Sequence, residues 1–163
     1  MNEFAIINKY LKLLSKKNSS SLNLNDDIFY DNQKKLAIST DSYIEGVHFI
    51  KSSRPKEFLK KILRSSLSDL YCKGVIPKSY FLSISLNKMY ANHSWLSEFK
   101  NVLKSEQDKF DIFLGGGDIT KFSRLVVTIT VIGYAKSKVV LRKGASFNDD
   151  IYVTGNIGDS FVG

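Results

Sequence analysis

The chain has 163 residues, 43% of them hydrophobic, a formal net charge of +8 and one cysteine. A chain of this length buries roughly 70% of its unfolded surface, so we expect one domain with one core. The lone Cys72 excludes an internal disulfide, and no window approaches the roughly 20 apolar residues of a membrane helix. Residues 1–14 lack the pattern of a signal peptide, so we expect a cytoplasmic protein with no membrane partner.

The excess positive charge has two interpretations. Four basic residues recur along one predicted helix, which would suit a nucleic-acid surface: Lys56, Lys60, Lys61 and Arg64. Lysine is abundant throughout the chain, however, and the sequence contains no nucleic-acid motif or basic-aromatic pattern. We therefore predict a solvated surface without a nucleic-acid partner, and a modest attraction for phosphorylated substrates.

The first predicted elements are a helix, a polar loop and a strand. Apolar residues recur at helical spacing from about Glu3 to Lys16: Phe4, Ile7, Leu11 and Leu14. Residues 19–27 form a polar loop. Residues 36–40 are then predicted as a strand, which Asp41 leaves to enter the loop that contains His48.

A second helix is predicted to begin near Pro55 and to end before Gly74. Proline suits a first helical position because that position needs no N–H donor, and glycine is typical beyond a helix end. The packed stripe of this helix is Phe58, Leu59, Ile62, Leu63, Ser66 and Leu70. Asp69 falls in the last turn, where a negative charge is unfavourable unless a cation compensates it.

The second half of the chain is predicted to be rich in strands. Residues 80–86 alternate as a half-buried strand does, and a helix follows over 94–104 with Trp95, Phe99, Val102 and Leu103 in the core. A short strand over 110–114 is expected to end at a glycine run, 115–117. The longest strand, 125–133, is apolar on both faces and therefore needs cover from helices on one side and from a second sheet or a partner subunit on the other.

Four aspartates lie at predicted element ends, three of them beside glycine, serine or threonine: Asp27, Asp41, Asp69 and Asp118. Any one of them is explained as a turn residue. Together, and with hydroxyls from Ser39 and Thr40, they are hard oxygen ligands that suit Mg²⁺ and phosphate chemistry. The glycines before Asp118 would let backbone approach a phosphate closely, although a tight turn explains them equally well.

The order of these segments resembles the amino-terminal half of thiamine-monophosphate kinase, a magnesium-dependent enzyme that makes thiamine diphosphate. The most specific block is residues 39–49, with the run Glu45-Gly46-Val47-His48-Phe49. The other segments that carry the resemblance are 3–7, 66–70 with Gly74 and Pro77, 116–120, 142–145, 150–155 and 158–160. Asn25, where the family usually has glycine, and Phe147 to Asp149, where it has a Pro-Gly turn, depart from the family pattern.

The resemblance implies a fold, ligands and partners. The fold is an α/β (α+β) domain, with a mixed, mainly antiparallel sheet flanked by helices, like the amino-terminal domain of aminoimidazole ribonucleotide synthetase. The family forms homodimers through a β-barrel. Its Mg²⁺ ligands would correspond here to Asp27, Ser39, Thr40, Asp41, Asp69 and Asp118, and its contacts to the co-substrate ATP to Gly117, Asp118 and Arg142. His48 would contact thiamine monophosphate, and no covalent nucleophile is expected, since direct phosphoryl transfer requires none.

Two alternatives stay open at this point. The family continues into a second α/β domain that residues 1–163 do not include, so we expect this chain to supply the nucleotide and metal half and to be weak or inactive alone. It could instead be a non-catalytic dimerisation or nucleotide-binding remnant. Other members of the superfamily, selenophosphate synthetase and the hydrogenase-maturation dehydratase, are less favoured, because no reactive cysteine lies near the amino terminus and residues 39–49 match the thiamine enzyme.

Overall fold

The computed structural model describes residues 1–153 and 155–158; Thr154 and residues 159–163, which include part of the resemblance noted above, lie outside them. Its strands are β1 (Phe29–Asp31), β2 (Leu36–Ile44), β3 (Val75–Leu86), β4 (Phe113–Lys121) and β5 (Val126–Ala135). They form one sheet in the order β1-β2-β5-β3-β4, in which β3 and β4 are parallel and the other neighbours antiparallel. This confirms the mixed, mainly antiparallel sheet.

Helix α3 (Pro55–Tyr71) covers one face of the sheet, here called the inner face, and helix α4 (His93–Phe110) packs against α3. Helix α3 begins at the predicted proline, where the Glu57 carboxylate accepts a hydrogen bond from the Arg54 N–H at 2.8 Å. It ends before Gly74, which adopts a positive φ of 73°. All six residues of its predicted stripe are buried. They pack against the inner sides of β2, β3 and β5.

Two predicted boundaries in the second half are wrong. Helix α4 continues to Phe110 and ends at Asp111, which takes the left-handed conformation, so Phe110 belongs to a helix and not to a strand. Strand β4 starts later than predicted and includes the whole glycine run and Asp118. Glycine discourages strand formation in isolation, but pairing with β3 along its length overrides that preference here.

The amino-terminal helical segment follows its predicted bounds but is irregular. It consists of α1 (Glu3–Ile6), a π-helical turn (Ile7–Leu11) and α2 (Lys12–Ser15), and a 3₁₀ turn (Ser19–Leu24) follows. Its apolar stripe faces solvent: Phe4 is 69% exposed and Leu14 is 83% exposed. In the described part of the chain, no helix is long and apolar enough to cross a membrane.

The outer face of the sheet mixes hydroxyl and apolar side chains and is partly exposed. Hydroxyl groups pair across neighbouring strands there, Thr40 with Thr130 at 2.8 Å and Ser42 with Thr128 at 2.8 Å. Strand β5 has one fully buried face and one half-buried face, and cover of the half-buried face by a partner subunit stays a prediction. Strand β2 also runs further than predicted, to Ile44, so that Asp41 lies within it and not in the following loop.

Candidate functional site

Three of the predicted ligands meet where the inner face of β2 passes the end of α3. Side chains alternate along a strand, so Ser39 and Asp41 both point toward α3 while Thr40 points away. The Ser39 hydroxyl donates a hydrogen bond to Asp69 Oδ2 at 2.8 Å. The Tyr43 hydroxyl lies 3.3 Å from Asp41 Oδ2, to which it donates. We call Asp27, Ser39, Asp41 and Asp69 the acidic cluster.

The acidic cluster carries unbalanced negative charge. Burial raises the pKa of Asp69 above its ordinary value, and the carboxylates of Asp41 and Asp27 raise it further, against the opposing effects of the Ser39 hydrogen bond and Arg142. Like charges close together disfavour the ionised form of each. A cation bound here would relieve that repulsion, which is the behaviour expected of a metal or phosphate-handling site.

The two carboxylates of the acidic pair before β1, Asp26 and Asp27, have different environments. The Asp26 side chain is only 6% exposed and accepts hydrogen bonds from Lys73 Nζ at 2.7 Å, the Asp27 N–H at 2.9 Å and the Arg142 N–H at 3.0 Å. Burial acts to raise the pKa of Asp26, but these bonds, that from Lys73 foremost, bring it below its ordinary value. Asp26 is thus saturated by protein partners, and Asp27, 26% exposed, faces the cluster.

The guanidinium of Arg142 is bound to Asp27. Its Nε lies 3.0 Å from Asp27 Oδ2, and its Nη2 donates to Asp27 Oδ1, which makes the pair bidentate. Arg142 lies in a segment without regular structure, which a hydrogen bond from the Val140 N–H to the Lys73 carbonyl ties to the end of α3 at 3.1 Å. The predicted ATP contact therefore lies beside the predicted metal ligands.

His48 lies in the loop after β2 with one ring nitrogen fixed. The Ile44 N–H donates to His48 Nδ1 at 3.0 Å, so in the neutral ring Nε2 carries the proton. The His48 ring also meets the Tyr43 ring edge-on, with centroids 5.7 Å apart. Because Tyr43 also contacts Asp41, the loop is connected to the acidic cluster through Tyr43.

A buried carboxylate, missed in the sequence, anchors this loop. Glu45 is 3% exposed and accepts hydrogen bonds from the Tyr90 hydroxyl, the Ser52 N–H at 3.1 Å and the Leu125 N–H at 3.1 Å. Burial acts to raise the pKa of Glu45, but these donors, Tyr90 foremost, hold it below its ordinary value. The one sequence signal for it was its place in the Glu45-to-Phe49 run.

Thr40, Gly117 and Asp118 are not brought to the acidic cluster. The Thr40 hydroxyl lies on the outer face, as described above. Asp118 pairs in register with Ser83 and shares a side of β4 with Thr120, whose hydroxyl bonds Ser85 on the outer face at 2.7 Å. The prediction that four aspartates cluster within one chain is therefore met by three of them.

Gly117 has a structural role in β4. A Cβ at this position would lie 1.8 Å from the Leu82 carbonyl oxygen, so the glycine permits the close approach of β4 to β3. This explains the residue without a ligand. Its predicted contact with ATP stays a prediction.

The donor set of the acidic cluster suits Mg²⁺. It consists of carboxylate and hydroxyl oxygens, the hard ligands this ion prefers. Among residues 1–153 and 155–158, no three or more histidine, cysteine, aspartate or glutamate side chains are arranged to hold a single ion. An ion would therefore take one or two carboxylates from the protein and complete its coordination with phosphate oxygens and water, as Mg²⁺ commonly does.

A basic cleft of about 660 Å³ adjoins the cluster. It lies between the 3₁₀ turn and the segment that carries Arg142, and Asp26 forms part of its wall. Three lysines line it: Lys16, Lys17 and Lys143. Positive charge on this side complements the negative cluster and suits a ligand that carries several phosphates.

Comparison with known proteins places these features in a family. The model of the family "AIR synthase related protein, N-terminal domain" matches residues 24–135. The thiamine-monophosphate kinase of Buchnera aphidicola subsp. Acyrthosiphon pisum is 37% identical over 99% of this chain and 50% of its own length. That of Haemophilus influenzae is 33% identical over 100% of this chain and 50% of its own length.

A solved structure, AaThiL complexed with AMPPCP and TMP, superposes on this chain with a TM-score of 0.82 at 27% identity. The superposition covers 97% of this chain and 50% of the AaThiL chain. The chain spans about half the length of the curated relatives it matches.

Proposed function

Residues 24–135 match the N-terminal domain of the AIR synthase related protein family, so the chain belongs to that family, and we propose that it is the nucleotide- and metal-binding half of a thiamine-monophosphate kinase. The observation that carries the proposal is the acidic cluster, in which Ser39, Asp41 and Asp69 meet from β2 and α3. Relatives at 33–37% identity are thiamine-monophosphate kinases, and AaThiL is complexed with AMPPCP and TMP. We extend both the activity and the two ligands to this chain.

Arg142 and Asp27 change partners when the nucleotide binds. Arginine binds phosphate oxygens as readily as carboxylates, and with the same fork of donors. When ATP enters the basic cleft, Arg142 exchanges Asp27 for the phosphates, and Asp27 becomes available to a cation. Mg²⁺, when bound, supplies positive charge that lowers the repulsion between the phosphates of ATP and of the acceptor.

His48 orients the acceptor. Its Nε2–H is free of the bond that fixes Nδ1, so it can donate to a phosphate oxygen of thiamine monophosphate. That oxygen forms a bond to the γ-phosphorus of ATP while the bond to the ADP oxygen breaks, and thiamine diphosphate and ADP result. The protein contributes positioning and charge, and a covalent nucleophile is not required.

The proposal includes a homodimer and a cytoplasmic location. The outer face of the sheet is half-buried, and strand β4 at its edge exposes Phe113 at 62% and Ile119 at 73%. Exposed apolar groups on a sheet edge favour pairing with a second copy. Light scattering during size exclusion tests this, and a monodisperse monomer at micromolar concentration would contradict it.

Calorimetry with AMPPCP tests the nucleotide and metal site. We expect binding in Mg²⁺ that is lost in chelator, because a bare triphosphate is repelled by the cluster. Asp41→Asn should weaken binding at least about tenfold, since the loss of a group that only orients a metal ligand already weakens metal binding by about 10–100-fold. Asp108→Asn, an exposed aspartate paired with Lys104 on α4, is the matched control and should bind normally. Equal affinity for AMPPCP with Mg²⁺ and with chelator would refute the hypothesis that the acidic cluster binds Mg²⁺.

Formation of thiamine diphosphate from ATP and thiamine monophosphate tests the reaction. The chain alone should show little turnover, because positioning of the acceptor supplies much of the rate. Activity should appear when the carboxy-terminal half of a relative is added in trans, and Asp69→Asn should abolish that activity. Absence of rescue together with absence of nucleotide binding would favour a non-catalytic remnant.

A further inference from the structure

Lys73 is a buried cation at the base of the acidic cluster. Its side chain is 5% exposed, and its Nζ lies 2.7 Å from Asp26 Oδ1 and 3.6 Å from Asp27 Oδ2. It is the second residue after α3, whose last turn carries Asp69. A buried lysine is costly unless it is paired, so this pairing is built into the fold.

From this geometry we propose that Lys73 is a positioning residue for the metal site, an inference that rests on the function proposed above. Its ammonium holds Asp26 in place. Asp26 in turn accepts the backbone N–H of Asp27 and thereby fixes the direction in which the Asp27 carboxylate points. Lys73 does not contact substrate; it acts through two carboxylates.

Two further hydrogen bonds connect the Lys73–Asp26 pair to the segment that carries Arg142. The Lys73 carbonyl accepts the Val140 N–H at 3.1 Å, and Asp26 accepts the Arg142 N–H at 3.0 Å. The residue therefore ties the end of α3, the Asp26–Asp27 turn and the arginine segment together. Groups that hold metal ligands in place through hydrogen bonds orient those ligands, and their loss typically costs about 10–100-fold in metal affinity.

The sign of the effect distinguishes positioning from simple electrostatics. A lysine ammonium near a metal ion repels it, so if charge alone mattered, Lys73→Met would tighten Mg²⁺ binding. If Lys73 positions Asp27, the same substitution weakens Mg²⁺ binding despite the removed repulsion. The two hypotheses predict opposite changes.

The experiment measures the apparent Mg²⁺ affinity of the chain by titrating Mg²⁺ at a fixed AMPPCP concentration in a calorimeter. We expect Lys73→Met to weaken Mg²⁺ about tenfold and Lys73→Arg to restore most of the affinity. Lys78→Met is the matched control: it removes an exposed lysine paired with Asp111 at 3.1 Å and should leave the affinity unchanged.

Stability must be separated from positioning, because Lys73→Met leaves Asp26 buried without its partner. The double variant Asp26→Asn with Lys73→Met removes both charges and should recover stability in a thermal melt but not Mg²⁺ affinity. Unchanged or tighter Mg²⁺ binding in a folded Lys73→Met or double variant would overturn the inference while leaving the proposed function intact. Failure of the unsubstituted chain to bind AMPPCP with Mg²⁺ would refute the proposed function and this inference with it.

Discussion

Substitution of Gly117 by alanine should break the contact between β4 and β3. A Cβ at Gly117 would lie 1.8 Å from the Leu82 carbonyl oxygen, whereas such contacts are essentially never shorter than 3.0 Å. The strands must therefore part by more than about 1 Å, which lengthens a hydrogen bond of about 2.9 Å beyond its useful range. The close approach that this residue permits is lost.

The expected cost follows from the pairing that would be lost. About two backbone hydrogen bonds at roughly 1 kcal/mol each, with an overpacking penalty of 1–3 kcal/mol, give a loss of about 4 kcal/mol. For a chain of this size the melting temperature should fall by about 12 °C. Because β4 is an edge strand, the damage should be concentrated there, and the α3–β2 contacts that hold the acidic cluster should persist.

Gly115→Ala is the matched control. It is the same chemical change in the same strand, but its Cβ would lie 3.1 Å from the ring of Phe81, a side chain that is 40% exposed and can rotate away. We expect a change below about 1 kcal/mol. Urea unfolding followed by circular dichroism, with hydrogen exchange of the β4 amides, measures both variants. Equal stability of the two would refute the close-approach argument.

Three further outcomes are expected. Asp69→Asn should raise the melting temperature at pH 7 without Mg²⁺ by about 2 °C, because burial and Asp41 raise the pKa of Asp69 and its charged form is unfavourable. In melts at decreasing pH the gain should vanish as pH falls through the raised pKa of the folded state toward the ordinary value of 3.8. Arg64→Met should cost about 2 kcal/mol in urea unfolding, because Glu106, 2% exposed, loses a bidentate partner. Since Arg64 lowers the pKa of Glu106, this cost should shrink as pH falls below the ordinary pKa of 4.5 and through the lowered pKa of the folded protein. Tyr90→Phe should cost about 1–2 kcal/mol in the same assay, through the lost bond to the buried Glu45 carboxylate.

Each of these outcomes has a result that would contradict it. A lower melting temperature for Asp69→Asn at pH 7 would mean that its hydrogen bond to Ser39 outweighs the repulsion in the cluster. Pairing at the protein surface contributes less than about 1 kcal/mol, so an effect that small for Arg64→Met would show that the ion pair with Glu106 behaves as exposed. An unchanged unfolding curve for Tyr90→Phe would indicate that Glu45 keeps its other donors without loss.

Features that depend on neighbours along the chain were predictable from the sequence. The bounds and buried stripe of α3 follow from 3.6-residue periodicity, a starting proline and a terminal glycine, and the structure shows all three. Ser39, Asp41 and Asp69 were grouped by their hard oxygen ligands at predicted element ends, and the resemblance to a family supported that grouping. Alternation along β2 puts Ser39 and Asp41 on one face, but the predicted strand ended at Thr40, so their common orientation became clear only from the structure.

Features that depend on which strands pair were decided by tertiary structure alone. The register of β4 against β3 put Asp118 on the outer face, and a shift by one residue would have put it on the inner one. The burial of Lys73 against Asp26 joins residues 47 positions apart, and no local pattern marks either as a partner. Periodicity is a local property of the sequence, whereas register and ion pairing between distant segments are set by the packing of the whole domain, so the sequence determined the elements and the candidate ligands, and the fold decided which of them meet.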